Sequence, residues 1–309
     1  MKAWQINRFG PPDVLELREM PDPVAAEGEV VVRIRAASLN GADLKVRRGH
    51  SQTVPGLTFP HVSGRDFSGE IEQVGPGVTD LKPGDAVFGV VARGKEGAYA
   101  ERLAIPAALV GPKPEGVSHV EAAALALTGL TTLVALEDDA KLARGQRILI
   151  QGAAGGVGSF AVQYARHVGA EVHATARLAH HDYVRSLGAD VVLDYRGRPF
   201  EEVVADCDVV LDTVGGEVHR RSLSVLKPGG VLVHIVAAPK GVEPPAGIRL
   251  VRPQVWRDRA HLRRIAEMVG QGAVRPPALH VFPFTDAPGA HALLEAGGVP
   301  GKVVLDLGA

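Results

Sequence analysis

The sequence predicts an α/β protein in which a doubly wound parallel sheet is joined to a smaller β domain. Three observations carry this prediction. Residues 146–177 contain a glycine-rich turn between a strand and a helix, strands and helices alternate as far as residue 235, and residues 1–116 consist of short apolar runs separated by turn signals. Alternation predicts a parallel sheet covered on both faces, whereas short and evenly spaced strands are typical of a compact barrel.

The segment 146–177 reads as strand, turn, helix and strand. The apolar run Ile148–Ile150 leads into the glycines of Gly152–Gly158, apolar residues then recur at helical spacing, and the apolar run Val172–Ala176 follows. This unit has the length of a dinucleotide-binding fingerprint, in which the helix N-terminus faces the phosphates. Ala153 stands where the fingerprint has its first glycine, so a plain strand-to-helix turn is the alternative.

The residues around this turn suggest which dinucleotide binds. Gly155 is placed to let backbone approach a pyrophosphate, and Gly158 to let the helix pack closely on the strand. The second strand ends at Thr175–Arg177, without the acid that an NAD site carries there. Charge-assisted hydrogen bonds from Arg177 to a 2′-phosphate are worth roughly 1.5–3 kcal/mol each, which favours NADPH. The alternative is that Arg177 is a solvated surface arginine.

Composition excludes several classes of function. The chain has 309 residues with a net charge of −1, which gives no general attraction to nucleic acid or to an anionic membrane. The single cysteine, Cys207, excludes an intramolecular disulfide and a thiolate-rich zinc site. No leader and no apolar run long enough to span a bilayer is evident, so we expect a cytoplasmic protein.

Short apolar runs between turn signals define the N-terminal elements. The predicted strands are Lys2–Ile6, Leu15–Arg18, Glu29–Ala36, Gly69–Val74, Ala86–Val91 and Ala98–Ala104. From Ser118 the periodicity becomes helical, and Ser118 with Glu121 matches a capping box. Two helices are predicted there, with a break near Gly129.

The second half continues the alternation and then returns to the β domain. The predicted elements are strand Val191–Asp194, helix Phe200–Ala205, strand Val209–Asp212, helix Val218–Leu226, strand Val231–Ile235, strand Ile248–Val251, helix Arg259–Val269, strand Leu279–Phe282, helix Asp286–Glu295 and strand Lys302–Leu307. Strand ends at Asp212–Gly216 and Ile235–Ala237 would line the ligand crevice. The strand Ile248–Val251 would lie at a sheet edge, where it can pair with its copy in a homodimer.

Ten stretches of the chain follow the order of one enzyme family. They are Asn40–Arg47, Phe59–Gly69, Leu81–Phe88, Gly97–Glu101, Thr128–Thr132, Gly152–Ser159, Arg185–Asp190, Leu211–Gly216, Leu226–Gly230 and Gly301–Val304. In them the chain resembles the medium-chain dehydrogenase/reductase superfamily, and within it the zinc-independent NADPH:quinone oxidoreductase-like enzymes. The resemblance implies a Rossmann cofactor domain over residues 118–272 and a discontinuous GroES-like β-barrel catalytic domain over 1–117 and 273–309.

The resemblance also implies a site. Asn40 and Thr128 would lie near the nicotinamide, with Asn40 orienting the substrate carbonyl, and Asp43 and Lys45 are the other candidate catalytic residues. Lys45 stands where many relatives have a tyrosine; it is either a proton donor to an enolate oxygen or a surface lysine. The candidate cofactor-binding residues are Asn40, Thr128, Gly152, Ala154, Gly155, Gly156, Val157, Thr175, Arg177, Tyr195, Val214, Ile235 and Lys302.

The candidate site lacks the ligands of a catalytic zinc ion. Asn40 and Arg65 stand where the alcohol dehydrogenases of this superfamily carry ligands, and an arginine cannot ligate a metal. His61 and the pair His180–His181 are the other possible ligands, and we predict that no metal binds. Asp66 either orients groups in the cleft or forms an ion pair with Arg65.

Hydride transfer without a metal requires an acceptor that is already activated. Quinones and α,β-unsaturated carbonyl compounds meet this requirement, because the added charge delocalises onto oxygen. The predicted function is therefore an NADPH-dependent quinone reductase. An alkenal or enone reductase and a non-catalytic NADPH-binding regulator are the alternatives, and the family analogy favours a homodimer. Neither nucleic acid nor a membrane is an expected partner.

Overall fold

The computed structural model describes residues 1–50, 54 and 56–308. Its strands are β1 (Lys2–Ile6), β2 (Leu15–Glu19), β3 (Glu29–Ser38), β4 (His61–Val62), β5 (Asp66–Val74), β6 (Ala86–Val90), β7 (Arg102–Pro106), β8 (Val110–Pro112), β9 (Arg147–Gln151), β10 (Glu171–Ala176), β11 (Val191–Asp194), β12 (Cys207–Asp212), β13 (Leu226–His234), β14 (Arg249–Val251), β15 (Leu279–Pro283) and β16 (Lys302–Asp306). Its α-helices are α1 (Gly41–Arg47), α2 (His119–Thr132), α3 (Gly156–Val168), α4 (His181–Ser186), α5 (Glu217–Ser222), α6 (Arg259–Gly270) and α7 (Ala287–Ala296).

The chain divides into two compact units. The first combines Met1–Leu127 with Arg257–Ala309, and the second is Thr128–Trp256. These limits differ from the predicted boundaries after residues 117 and 272. The second boundary differs because helix α6 packs against the first unit. Gly111 of β8 has no side chain and so leaves room for Leu262 of α6, since a Cβ at Gly111 would lie 2.6 Å from Leu262 Cβ. This helix therefore packs with strand β8 of the first unit.

The first unit is built on two sheets. Six strands follow the order β15-β16-β3-β5-β6-β8, with β7 also paired to β3, and a smaller sheet has the order β2-β1-β4. Strand β16 runs antiparallel to β3, so the C-terminal segment closes the sheet of the N-terminal strands. The core between these strands contains the buried side chains of Trp4, Phe67 and Tyr99.

The second unit contains a parallel six-stranded sheet with the order β11-β10-β9-β12-β13-β14. Strand order runs outward in both directions from β9 and β12, which makes the carboxyl ends of these two strands the switch point where ligands bind in such sheets. The edge strand predicted at Ile248–Val251 is confirmed as β14. Together the two units confirm the predicted fold class.

Two predicted helices differ from the structure. The predicted break near Gly129 is wrong, because α2 continues through it and then through a π-helical segment, Leu133–Asp139. A glycine costs a helix about 1 kcal/mol, which the complete burial of neighbours such as Leu130 and Leu133 outweighs. Only a 3₁₀ turn, Phe200–Glu202, forms where a helix over Phe200–Ala205 was predicted.

The helical segment His119–Asp139 corrects a further expectation. It is long and apolar enough to cross a membrane, although the sequence suggested no run of that length. In the fold, 78% of its most apolar window is buried. Core helices satisfy the same criterion, so the segment is weak evidence for membrane insertion.

Candidate functional site

The glycine-rich turn follows β9 at the switch point and is held tightly. Gly152 adopts φ +71°, its N–H donates to Thr175 Oγ1 (3.2 Å), and Ala153 N–H donates to Thr175 O (2.9 Å). A Cβ on Gly158 would lie 2.4 Å from Gly152 O, so only glycine lets α3 start this close to the strand. A Cβ on Gly155 would meet the same oxygen at an ordinary 3.5 Å. The packing role predicted for Gly158 is thus visible in the fold.

A buried chain of polar side chains supports the turn from below. Thr175 Oγ1 donates to Gln151 Oε1 (2.7 Å), and Gln151 Nε2 donates to Ser222 Oγ (3.1 Å). Thr175 is 1% exposed, so its hydroxyl holds the turn, whereas a role in cofactor binding was predicted for it. Gln151 lies outside the glycine pattern, which explains why no sequence signal pointed to it.

The first turn of α3 offers donors to an anion. Its N-cap is Gly155, which has no side chain to cap the helix, and Gly156 and Val157 follow as the first helical residues. The N–H groups of a first helical turn have no intrahelical acceptors and carry partial positive charge. Gly155, Gly156 and Val157 are partly exposed, while Ala154 beside them is 9% exposed. These residues fit the pyrophosphate of a dinucleotide.

Arg177 and Tyr195 lie together beyond the end of β10. Arg177 Nε donates to the Tyr195 hydroxyl (3.1 Å), and Tyr195 is 46% exposed. The guanidinium lowers the pKa of Tyr195 through this hydrogen bond. No other guanidinium nitrogen of Arg177 has a hydrogen-bond partner within the described ranges, so the group is available to a phosphate. The fold therefore pairs the two residues expected around a 2′-phosphate.

The loop after β12 is shaped by a buried carboxylate that the sequence did not single out. Asp212 Oδ1 accepts hydrogen bonds from the N–H groups of Val214 (2.9 Å) and Gly215 (2.8 Å), and Oδ2 lies 2.9 Å from His219 Nδ1. Val214 is thereby left 51% exposed at the carboxyl end of the strand. Ile235 donates its N–H to Asp212 O (3.1 Å) and lies beside it at the end of β13. Both apolar residues thus occupy the predicted crevice edge.

In the first unit, Asn40 is the N-cap of α1 and is fixed on three sides. Its N–H donates to Asp43 Oδ2 (2.8 Å), its Oδ1 accepts from Lys302 Nζ (2.7 Å), and its Nδ2 donates to Asp66 Oδ1. Lys302 is 5% exposed and also donates to Leu39 O (2.7 Å). Lys302 therefore contacts the site through Asn40, and the orientation of the Asn40 amide is set by a cation at one end and an anion at the other.

Arg65 lies between two buried carboxylates. Its Nη2 donates to Glu96 Oε1 (2.8 Å), and its Nε lies 3.0 Å from Asp43 Oδ1. Burial raises the pKa of Asp43 to about 7, although the Arg65 guanidinium acts to lower it. Tyr99 is fully buried and donates its hydroxyl to Asp43 Oδ2 (3.0 Å), in agreement with a core position.

The expected pair between Asp66 and Arg65 does not form. Asp66 accepts from Ser38 Oγ and lies 3.4 Å from Lys302 Nζ, while Arg65 turns to Glu96 and Asp43. Successive side chains of extended backbone point to opposite sides, so sequence neighbours rarely pair there.

The other candidate residues lie in separate surroundings, except His61, which contacts the Glu96 partner of Arg65. Lys45 is exposed on α1, and its ammonium has no partner in the part of the chain that the structure describes. Thr128, in the second unit, is 3% exposed and accepts at its carbonyl from Thr132 Oγ1 (2.9 Å). His61 Nε2 lies 2.8 Å from Glu96 Oε2. Over residues 1–50, 54 and 56–308, no three His, Cys, Asp or Glu side chains form a group able to hold a metal ion.

Comparisons with known proteins agree with this architecture. The family model described as alcohol dehydrogenase GroES-like domain matches residues 26–115, and the one described as zinc-binding dehydrogenase matches residues 187–305. Among curated proteins, mitochondrial NAD(P)H oxidoreductase RTN4IP1 of Danio rerio is 31% identical, with 99% of this chain and 91% of that protein covered. The 2-methylene-furan-3-one reductase of Solanum lycopersicum is 36% identical, with 99% and 79% covered.

A solved structure shows the same fold over the full length of both chains. The quinone oxidoreductase of Escherichia coli, complexed with NADPH, has a TM-score of 0.89 and 27% identity, with 99% of this chain and 100% of that chain covered.

Proposed function

This chain belongs to the medium-chain dehydrogenase/reductase superfamily, in its quinone oxidoreductase-like branch, and on that premise we propose that it reduces quinones with NADPH and without zinc. It is an oxidoreductase, and its cofactor is NADPH. The single observation that carries the zinc-independent mechanism is the Arg65 guanidinium, held by Glu96 and Asp43 where zinc-dependent relatives have a ligand.

The residues of the second unit suit NADPH. The N–H groups of Gly156 and Val157 would hold the pyrophosphate, Gly155 would let the backbone approach it, and Arg177 with Tyr195 would hold the 2′-phosphate. Val214 and Ile235 would form apolar walls for the cofactor at the strand ends. When bound, NADPH supplies the hydride that reduces the acceptor.

The donor set of the first unit argues against metal assistance. Lys302 and Asn40 contact Asp66, and the guanidinium of Arg65 lies on the neighbouring Asp43; the ammonium and the guanidinium are cations that repel a metal ion. Substrate polarisation then falls to hydrogen bonds from protein groups. We assign substrate orientation to Asn40, whose amide Lys302 and Asp66 hold in one rotamer.

Three further residues complete the proposed catalytic set. Asp43 stabilises the N-terminus of α1 and thereby the position of Asn40. Lys45 would supply a proton to the reduced acceptor, since its ammonium is exposed and unpaired among the described residues. Thr128 would bind the nicotinamide from the second unit.

The proposed acceptor class follows from the proposal that no metal takes part. A quinone accepts hydride readily because the added charge is delocalised onto oxygen, so positioned hydrogen bonds suffice. An α,β-unsaturated ketone shares this property, and the likeness to 2-methylene-furan-3-one reductase makes enone reduction the second candidate.

The proposal is tested with purified protein, NADPH and two acceptor panels, one of small quinones and one of enones. We expect NADPH oxidation to accelerate with at least one quinone and to persist after dialysis against a chelator. Activity with enones alone would favour the second candidate. Tight NADPH binding without turnover on either panel would instead support a non-catalytic regulator.

We also propose a cytoplasmic homodimer that pairs through the edge strand β14. The support is the position of this strand at the end of the sheet, where no further strand of the described residues pairs with it and a second copy could. Sedimentation equilibrium at micromolar concentration should give twice the chain mass, and a monomer would rule the pairing out.

A further inference from the structure

Arg257 is a half-buried arginine whose donors are unused. It directly precedes Asp258, the N-cap of α6, and its Nε and Nη1 are buried without a hydrogen-bond partner in the described ranges. Natural proteins pair buried N–H groups almost without exception, because an unpaired one keeps its full desolvation penalty. Arg47 also has unpaired nitrogens, but it is 0% exposed, whereas part of the Arg257 side chain is exposed.

Among the described groups that act electrostatically on Arg257, positive charge exceeds negative charge. Burial, with Arg65 and Arg93, lowers its pKa to about 10, and Asp66 and Asp43 act in the opposite direction. Arg257 therefore stays protonated at neutral pH. Three guanidinium groups face two carboxylates here, and the pKa of Asp43, about 7, reduces the negative charge further. Their partners Lys302 and Glu96 add one charge of each sign.

This excess identifies the kind of ligand that Arg257 suits. A neutral carbonyl oxygen would satisfy one donor but would leave the charge uncompensated. A carboxylate or sulfonate supplies two acceptor oxygens and one negative charge, which matches the planar fork of a guanidinium. Asp66, one of the carboxylates that act on Arg257, also holds the proposed substrate-orienting residue Asn40.

We propose that Arg257 binds an anionic group of the acceptor and makes the enzyme selective for acceptors that carry a carboxylate or sulfonate. This inference rests on the proposed function and names the substrate class of the same site. Arg257 is thereby a specificity-determining residue, which interacts with a part of the acceptor that does not react.

Matched acceptor pairs test the proposal. One pair is 4-oxopent-2-enoate and pent-3-en-2-one, and the other is 1,4-naphthoquinone-2-sulfonate and 1,4-naphthoquinone. The measurement is kcat/KM for each acceptor with NADPH, expressed as the ratio of the anionic to the neutral acceptor. Because intrinsic reactivities cancel when this ratio is compared between variants, the change reports binding of the anionic group alone. We expect Arg257→Met to lower the ratio by about 10- to 100-fold, as the loss of a charge-assisted hydrogen bond predicts.

Two further variants keep the result interpretable. Arg263→Met removes an exposed arginine from α6 by the same substitution and should leave the ratio unchanged. Arg257→Lys keeps the charge without the fork and should lower the ratio by a smaller factor. If Arg257→Met does not fold, as judged by the fluorescence of Trp4 in the core of the first unit, the result with Arg257→Lys tests the proposal by itself. A ratio that stays within twofold of the wild type in the folded variants overturns the inference, and the proposed function survives as long as neutral acceptors are reduced. Failure of every acceptor to oxidise NADPH overturns both.

Discussion

Asp43 gives the first unit an unusual dependence of stability on pH. Its pKa is raised from 3.8 to about 7, chiefly because the carboxyl is fully buried, and the Glu96 and Asp66 carboxylates add to this. In the unfolded chain the pKa returns to its ordinary value. Between these two values the folded state binds more protons than the unfolded state, so stability falls as pH rises. This is the reverse of the usual behaviour of a salt-bridged carboxylate.

The magnitude follows from the two pKa values. A carboxyl that titrates near 7 when folded and near 3.8 when unfolded loses about 1.4 kcal/mol of unfolding free energy per pH unit in between, or roughly 2–3 kcal/mol from pH 5 to pH 7. Asp43→Asn removes this dependence, because the amide does not titrate. It still accepts a hydrogen bond from Asn40 N–H or the Tyr99 hydroxyl. The test is therefore how the difference in unfolding free energy between wild type and Asp43→Asn changes with pH. The size of that difference at any single pH does not matter.

Tryptophan fluorescence measures the first unit separately from the second. The chain has two tryptophans; Trp4 is 6% exposed in the core of the first unit, whereas Trp256 is 63% exposed. Urea unfolding followed at the emission of buried Trp4 gives the unfolding free energy of the first unit at each pH. Asp182→Asn is the control, because the Asp182 side chain is fully exposed and its removal should give a difference that is flat with pH.

A flat difference between wild type and Asp43→Asn from pH 5 to pH 7 would refute this reasoning. It would mean that the Arg65 ion pair outweighs burial and keeps Asp43 charged throughout. A difference that grows with pH in favour of the wild type would mean that the sign is wrong.

Four other substitutions test the remaining parts of the site. Arg177→Ala should weaken NADPH binding about 10- to 100-fold and leave NADH binding within about threefold, measured by nicotinamide fluorescence, because only NADPH carries the 2′-phosphate. Gly158→Ala should destabilise the second unit by about 2 kcal/mol or more in thermal unfolding, since its Cβ would lie 2.4 Å from Gly152 O. Gly155→Ala, in contrast, should fold normally and bind NADPH at least tenfold more weakly. Lys302→Met should destabilise the first unit by about 3–5 kcal/mol in urea unfolding, because Asp66 would be left buried without its cation. It should also lower kcat at least tenfold, because Lys302 holds the Asn40 amide. An unchanged kcat would show that Lys302 does not act through Asn40.

Local sequence patterns predicted the elements whose cause is itself local. The glycine turn and the capping box of Ser118 and Glu121 depend on residues within a few positions, and both form as expected. Side-chain partners depend on the packing of distant strands, which no local pattern encodes. The Arg65–Asp66 pair was expected from adjacency, yet Arg65 pairs with Glu96, 31 positions away. The break expected at Gly129 failed for a related reason, because packing outweighed the low helix propensity of one glycine.

In the proposed zinc-independent enzyme, the cation at position 65 that joins distant segments of the first unit is an arginine. Its guanidinium joins Asp43, at the start of α1, to Glu96, on the loop before β7, so one cation holds together two segments that are distant in sequence. Asp43 in turn holds the N–H of Asn40 and the hydroxyl of Tyr99. Arg65 thus fixes the geometry of Asn40 but cannot act as a Lewis acid toward a carbonyl oxygen. The acceptor must therefore stabilise the added charge within its own conjugated system, which is why the proposed substrates are quinones and enones and not simple ketones.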